Sequence, residues 1–186
     1  FYKKNNKHLL TKNEITKFVF IGRLISDKGV FELLEAAREI TSRNEFVEFY
    51  LYGEFDLNNP SAINEELIKK YCSKSIQLMG KIDDIKEALT IAHCVILPSY
   101  REGMSRSLLE ASACGIPIIA TDVPGCREII SNNNNGYVCK PKDSKDLSLK
   151  IEQFLKLSNN EIKEMGDYGR LKVEREFSVE LVVKKY

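Results

Sequence analysis

Residues 97–122 constrain the possible fold more than any other part of the chain, because they hold the end of one apolar run and the whole of a second. The first run, residues 95–97, stops at Pro98, and a polar loop follows it. Apolar residues then recur at helical spacing until Gly115. The second run, residues 118–120, comes shortly afterwards. This order predicts two buried parallel strands joined by a helix.

Two carboxylates mark this stretch. Glu102 lies in the loop and Glu110 on the helix, with seven residues between them. In open α/β sheets, ligands bind beyond the carboxyl ends of the strands, where helix N-termini attract anions. The pair therefore marks a candidate ligand site at the junction of loop and helix. Two plainer interpretations stay open, since Ser107 and Glu110 fit a capping box and a lone Glu102 would fit a solvated loop.

The same alternation of strand and helix signals runs through most of the chain. Apolar runs that suit strands lie at 18–21, 46–53, 76–80, 95–97, 118–120 and 137–139. Helical patterns or start signals lie at 30–40, 62–74, 84–92, 126–131, 143–155 and 160–176, besides the helix after residue 104. Such alternation predicts an α/β fold with a doubly wound, Rossmann-like parallel sheet of six strands in the order 3-2-1-4-5-6.

A second group of polar residues follows the first predicted strand. Arg23 and Lys28 lie in a loop that begins at Gly22 and precedes a helix. A guanidinium offers a rigid fork of donors and an ammonium offers a compact charge, so the two together suit a diphosphate. On their own they would equally fit two surface cations of a lysine-rich protein. Arg23 and Lys28 indicate a diphosphate site only if the fold brings them close to Glu102 and Glu110.

Composition excludes several classes of function. The 186 residues carry 28 basic and 27 acidic side chains, a formal net charge of +1, and no long basic stripe that would favour nucleic acid. No apolar run is long enough to span a membrane. The five cysteines form no C-x-x-C pair, which favours reduced, packed thiols over zinc or disulfides. His93 opens a strand and is interpreted as structural, and no Asp-x-Asp motif suggests a metal.

The context P-S-x-x-E-G…L-L-E-A-x-A-C-G-x-P-I-I-A-T-D around the two glutamates resembles the signature of retaining glycosyltransferases of the GT-B type, family 4, also called glycosyl transferases group 1. The resemblance continues through Val123-Pro124-Gly125 and covers roughly residues 17–186. Asn58-Asn59-Pro60-Ser61 resembles the branch of surface-polysaccharide and O-antigen pathways. The resemblance implies that this is the C-terminal half of a GT-B fold, which binds the nucleotide-sugar donor.

The resemblance also implies roles for residues. Glu110 would hold the ribose hydroxyls, Glu102 would lie against the donor sugar, and the pyrophosphate would be bound by cations and by backbone amides at 103–105. Arg23, Lys28 and Glu102 are the expected catalytic residues. The expected donor-binding residues are Gly22, Arg23, Lys28, Gly53, Ile82, Glu102, Gly103, Met104, Ser105, Leu109 and Glu110. Ser105 stands where this branch has a proline and many other members a glycine. No metal or other cofactor is expected, and a UDP-sugar, in particular a UDP-N-acetylhexosamine, is the expected substrate.

Three parts of the chain are expected. Residues 1–16 would be an arm arriving from a missing N-terminal domain, residues 17–178 the nucleotide-sugar-binding domain, and residues 179–186 the start of a C-terminal helix. The missing domain would bind a sugar or lipid-linked glycan acceptor, so the fragment alone is expected to be inactive. The complete protein is expected in the cytoplasm, associated peripherally with the inner face of the membrane.

Two other classes stay open. A dehydrogenase on a similar sheet would need G-x-G-x-x-G, which residues 22–27 lack, and a sugar-nucleotide epimerase would need catalytic carboxylates and histidines that the sequence does not place. A non-catalytic module that only binds a nucleotide sugar would share every motif described above.

Overall fold

The strands of residues 14–177, the part of the chain that the computed structural model describes, form one parallel sheet in the order β3-β2-β1-β4-β5-β6. This confirms the predicted fold class and strand order. The strands are β1 Thr16–Ile21, β2 Val47–Tyr52, β3 Ile76–Gly80, β4 Cys94–Leu97, β5 Ile118–Thr121 and β6 Gly136–Cys139. The helices are α1 Val30–Thr41, α2 Glu65–Lys69, α3 Ile85–Ile91, α4 Arg106–Ala113, α5 Ser144–Leu155 and α6 Asn159–Glu176, and a 3-10 turn spans Ser26–Lys28.

The chain reverses its direction across the sheet between β3 and β4. Because parallel crossovers are right-handed, α1 and α4 lie on opposite faces. On one face α1 packs against α5, and on the other α4 packs against α6. The ring of Phe18 stacks on Phe49 at 5.1 Å and meets the edge of Phe154 at 5.5 Å, all three being buried. The reversal also opens a crevice between β1 and β4 at their carboxyl ends, where such folds bind ligands.

Two predicted helices differ from the structure. In place of the helix predicted at 126–131, residues 124–129 form successive tight turns, in which the N–H groups of Cys126 and Ile129 donate three residues back. Both side chains are fully buried, but only the N–H groups of Arg127 and Ile130 donate four residues back, so no continuous helix forms here. The helix predicted at 62–74 is shortened to α2, because Ala62 bridges to Ile25 and a turn after Lys69 leads into β3.

The predicted terminal parts fall mostly outside the described residues. Thr16 belongs to β1 and pairs with Val47, so the sheet starts one residue before the predicted boundary at 17. The predicted arm up to residue 13 and the predicted helix at 179–186 lie beyond the described range. Within residues 14–177, no helix combines the length and hydropathy that crossing a bilayer requires.

Candidate active site

A cavity of about 580 Å³ opens at the carboxyl edge of the sheet, between the ends of β1 and β4 and the starts of α3 and α4. It brings together seven of the residues predicted from sequence: Gly22, Arg23, Lys28, Ile82, Glu102, Ser105 and Glu110. Its other lining residues are Ile21, Asp83, Asp84, Ile85, Leu97, Arg106 and Ser107. The Glu102–Glu110 pair and the Arg23–Lys28 pair, which the sequence presented separately, therefore lie in one site.

Lys28 and Glu102 form an ion pair in the wall of this cavity. The Lys28 Nζ lies 2.5 Å from Oε1 of Glu102, and the side chains are only 18% and 10% exposed. Ser99 also donates its hydroxyl to Oε1 of Glu102, at 2.8 Å. Charge-assisted hydrogen bonds at partly buried positions are strong and directional. Glu102 is therefore held in place by its partners and is not a freely solvated loop carboxylate.

Arg23 lies at the rim and is held much more loosely. Its Nη1 lies 2.7 Å from Oδ2 of Asp56, and its side chain is 55% exposed. Asp56 also accepts a hydrogen bond from the Asn59 amide at 3.2 Å. Exposed pairs of this kind contribute little stability. The guanidinium can therefore turn towards an anion in the cavity at small cost.

The N-terminus of α4 points at the same space. Ser105 is its N-cap and accepts from the Leu108 N–H at 3.4 Å, so the capping box considered for Ser107 and Glu110 is wrong. The N–H groups of Arg106 and Ser107 have no protein acceptor among residues 14–177. Together with the helix dipole, they form a site that suits an anion.

The backbone N–H groups just before α4 differ in whether the protein itself occupies them. The Ser105 N–H donates to the Gly125 carbonyl at 3.3 Å and is therefore occupied. The N–H groups of Gly103 and Met104 have no acceptor among the described residues, so two of the three predicted backbone donors are open.

Glu110 lines the cavity one turn into α4. Its side chain is 15% exposed and its Oε1 lies 3.6 Å from Nη2 of Arg106. Burial raises the pKa of Glu110 above its ordinary value, and the nearby Arg106 only partly offsets this. A half-buried carboxylate with a single, exposed cation beside it still has acceptor capacity for ligand hydroxyls.

The remaining wall is apolar and is formed by the ends of β1 and β4 and by the segment that follows β3. Ile21, Ile82, Ile85 and Leu97 line it, while the Asp84 side chain caps α3 by accepting from the Lys86 N–H at 3.0 Å. Flat apolar groups bind well on such a surface, with polar groups at its margin.

Four predicted binding residues do not line the cavity. Met104 is 47% exposed, Leu109 packs against the core, and Gly103 faces Gly125. Gly53 lies behind Gly22, where a Cβ atom would come within 1.9 Å of the Gly22 carbonyl oxygen. Gly53 and Gly103 therefore shape the backbone of the site instead of facing its ligand space.

Arg106 is a site residue that sequence reasoning missed. It lies at the first position of α4, 89% exposed, and pairs with Glu110 one turn later. The i, i+4 spacing of a basic and an acidic residue was a usable signal. The bracing role of Gly125 had no such local signal.

The buried thiols and the histidine are structural. His93 Nδ1 accepts from the Lys17 backbone N–H at 2.9 Å, which confirms its structural interpretation. Cys126 is completely buried, and burial, with the nearby charge of Glu102, raises its pKa to about 12, so it stays a thiol at neutral pH. Within residues 14–177, no three or more His, Cys, Asp or Glu side chains converge as metal ligands would.

Comparison with known proteins decides the family. A sequence model described as "Glycosyl transferases group 1" matches residues 2–172. This chain belongs to the glycosyl transferases group 1 family. Its parallel α/β sheet is the fold of GT-B glycosyltransferases.

Two of the relatives are bacterial glycosyltransferases. The chain is 38% identical over 159 residues to an N,N'-diacetylbacillosaminyl-diphospho-undecaprenol alpha-1,3-N-acetylgalactosaminyltransferase of Campylobacter jejuni, covering 83% of this chain and 40% of the relative. It is 28% identical over 164 residues to the capsular polysaccharide biosynthesis glycosyltransferase CapM of Staphylococcus aureus, covering 88% of this chain and 42% of CapM. The chain thus spans about two fifths of the length of these relatives.

The fold recurs in solved structures. A TarM mutant of Staphylococcus aureus, solved with fondaparinux, alpha-GlcNAc-glycerol and UDP, superposes with a TM-score of 0.82 at 24% identity over 100% of this chain and 37% of that one. At this identity the likeness concerns the fold alone.

Proposed function

We propose that this chain binds the nucleotide-diphosphate sugar donor of a retaining glycosyltransferase that builds a cell-surface polysaccharide or a lipid-linked glycan. The observation that carries the proposal is the single cavity in which Lys28, Glu102, Glu110 and the N-terminus of α4 meet. Membership of the glycosyl transferases group 1 family supports it.

Each part of the cavity suits one part of such a donor. The diphosphate would lie between Arg23, Lys28 and the open N–H groups of α4, where cations and a helix dipole converge. Ribose hydroxyls would donate to Glu110, and the base would pack on the apolar wall beside Ile82. The sugar would then lie near Glu102.

This arrangement favours departure of the diphosphate. As the bond between sugar and phosphate breaks, negative charge grows on the leaving oxygen, and fixed positive groups stabilise that charge. Lys28 already lies in place, because Glu102 holds it. Glu102 in turn presents a carboxylate near the carbon that becomes electron-poor.

The donor is proposed to be a UDP-N-acetylhexosamine. The printed names support this choice, since the Campylobacter relative is an N-acetylgalactosaminyltransferase and the TarM mutant was solved with UDP and alpha-GlcNAc-glycerol. Arg23, Lys28 and the helix N-terminus supply the positive charge, so metal-free binding is proposed.

The acceptor is proposed to bind the rest of a longer protein. The chain spans about 40% of the Campylobacter relative, whose name specifies an undecaprenol diphosphate acceptor. A lipid-linked acceptor of this kind would bring the complete enzyme to the inner face of the cytoplasmic membrane as a peripheral protein.

Calorimetric titration of the chain with UDP and with UDP-N-acetylglucosamine, in buffer containing EDTA, tests the proposal. We expect binding, and we expect Lys28→Ala to weaken it about ten- to hundred-fold through loss of a charge-assisted contact. Lys172→Ala is the matched control, because Lys172 is a similarly buried, ion-paired lysine on α6, away from the cavity.

No binding of any nucleoside diphosphate at millimolar concentration would overturn the proposed function. Binding that needs added Mg²⁺ or Mn²⁺ would overturn its metal-free form. An equal loss in both lysine variants would show that the effect is not local to the cavity.

A further inference from the structure

Tyr100 lies two residues before Glu102 but does not line the cavity. It contacts three other segments instead. Its backbone N–H donates to the carbonyl of Asp27 at 2.8 Å. Its phenol donates to Oε1 of Glu32, in the first turn of α1, at 2.5 Å. The Nζ of Lys142 lies 4.9 Å from its ring centroid.

Glu32 depends on this phenol. Its other oxygen, Oε2, is buried and has no hydrogen-bond partner among residues 14–177. A buried carboxylate needs donors, and a hydrogen bond to an ionised group is stronger than a neutral one. Burial first, and then the Glu32 acceptor, raise the pKa of Tyr100 above its ordinary value, so the phenol stays a donor.

Lys142 reaches the ring from the turn between β6 and α5, and it does so from an uncommon backbone conformation. Its φ is 59°, in the left-handed region that a residue with a side chain seldom adopts. Such conformations persist where the surroundings over-determine them, often near functional sites. The ammonium over the ring is a cation–π contact that adds a third attachment for Tyr100.

Arg101, the residue after Tyr100, is also attached to Asp27. Arg101 Nε donates to Oδ2 of Asp27 at 2.8 Å, and its Nη2 lies 2.6 Å from the same oxygen. Asp27 immediately precedes Lys28 in the 3-10 turn. Gly29 keeps that turn close to the loop, since a Cβ atom there would lie 2.0 Å from the Pro98 carbonyl oxygen. Both residues before Glu102 are thus bonded to the turn that carries its partner Lys28.

We infer that Tyr100 is a positioning residue, which holds the loop of Glu102 against the Lys28 turn and α1 and so sets the geometry of the Lys28–Glu102 pair. This inference rests on the proposed function for its catalytic consequence. The attachment itself is a property of the folded chain and can be measured without any substrate.

The first experiment measures amide hydrogen exchange by NMR in Tyr100→Phe. Two loop amides report on the attachment, those of residue 100, bonded to Asp27, and of Ser105, bonded to Gly125. We expect exchange at residue 100 to accelerate about tenfold or more, the loss of one hydrogen bond to a charged group. Tyr50→Phe is the matched control, because the Tyr50 phenol donates to Glu48 at the same 2.5 Å on β2.

Variants of Glu32, which accepts the hydrogen bond of the Tyr100 phenol, test the same attachment from its other side. Glu32→Ala should reproduce the faster exchange, whereas Glu32→Gln, which keeps an acceptor oxygen, should stay near the wild type. Because the two groups act through one hydrogen bond, the amide of residue 100 should exchange no faster in the double variant Tyr100→Phe, Glu32→Ala than in either single variant.

The second experiment uses the complete transferase. We expect Tyr100→Phe to lower kcat roughly ten- to hundred-fold, the cost of misplacing a reacting group. The Kd for UDP should stay within about twofold, because Tyr100 does not line the cavity. Tyr50→Phe should change neither quantity.

The outcomes separate the two proposals. Unchanged exchange at residue 100 would overturn the attachment, and faster exchange with unchanged kcat would overturn its catalytic role. If the wild type neither binds UDP nor transfers sugar, the proposed function fails, while the exchange data still support or overturn the attachment.

Discussion

The pH dependence of donor affinity distinguishes a ligand-binding role of Glu110 from a purely structural role in α4. Its pKa is raised, chiefly by burial, so it becomes protonated at a higher pH than an ordinary glutamate. The ionised form is the stronger acceptor for the ribose hydroxyls of the proposed donor. Donor affinity should therefore be complete above the raised pKa and fall as the pH drops through it. Glu110→Gln should weaken binding of UDP-N-acetylglucosamine and flatten this pH dependence.

Calorimetry between pH 5 and 8 with the nucleotide sugar is the measurement. UDP itself is unsuitable, because its terminal phosphate titrates near pH 6. A raised folded-state pKa also means that ionised Glu110 lowers stability above its unfolded pKa, so Glu110→Gln should not lower the Tm at neutral pH. A lower Tm with unchanged affinity would return Glu110 to a structural role.

Gly125 braces the loop that carries Glu102. Its φ is 82°, and a Cβ atom would lie 1.8 Å from the Gly103 carbonyl oxygen and 2.8 Å from that of Glu102. Gly125→Ala should therefore lower the free energy of unfolding by about 1–3 kcal/mol from the backbone conformation alone, with a further loss from the clash.

Urea unfolding of Gly125→Ala and Gly80→Ala separates the two effects. Gly80 has a similar φ of 74° but open space where its Cβ would lie, so it reports the conformational cost alone. If both variants lose the same free energy, the close approach to Gly103 does not matter.

At the scale of elements, α4 connects the core to the site. Leu108 and Ala111 are buried against the sheet, while the first turn faces the cavity. Its N-cap is Ser105, and replacing an N-cap serine by alanine costs about 1 kcal/mol. We expect Ser105→Ala to lower the free energy of unfolding by about that amount.

Ser107→Ala is the control for this prediction. The Ser107 hydroxyl contacts only the Ser105 hydroxyl, at 3.3 Å, and accepts no backbone N–H in the described structure. Urea unfolding should therefore show a smaller loss for Ser107→Ala. A larger loss there than at Ser105 would restore the capping role first considered for Ser107.

At the scale of the whole molecule, donor binding and transfer should separate. The described residues form one sheet with one cavity that suits a nucleotide sugar, and the chain spans about 40% of the Campylobacter relative. Transfer needs an acceptor hydroxyl aligned with the anomeric carbon, and such alignment supplies much of the rate. We expect this chain to bind donor without transferring sugar.

Radiolabelled transfer to a lipid-linked or sugar acceptor checks this expectation, comparing the chain with the complete protein at equal donor concentration. Comparable transfer by the chain alone would place the acceptor site within these 186 residues.

The sequence by itself determined the order of strands and helices, because apolar spacing and glycine or proline punctuation act over a few residues. It also determined the strand order, through the alternation of elements and the family resemblance. The caps of α3 and α5, Asp84 and Asp143, are equally local, since each accepts a hydrogen bond from an N–H group within three residues.

The tertiary structure decided the contacts between residues that are distant in the sequence. Lys28 and Glu102 are 74 residues apart, and their pairing depends on the reversal of the chain after β3, which makes β1 and β4 neighbours. Turns at 124–129 stand where a helix was predicted, and they place Cys126 and Ile129 in the hydrophobic core. Ser105, not Ser107, caps α4 because the loop before it is tied to Gly125. Local spacing cannot specify such contacts, since they exist only when distant segments fold against one another.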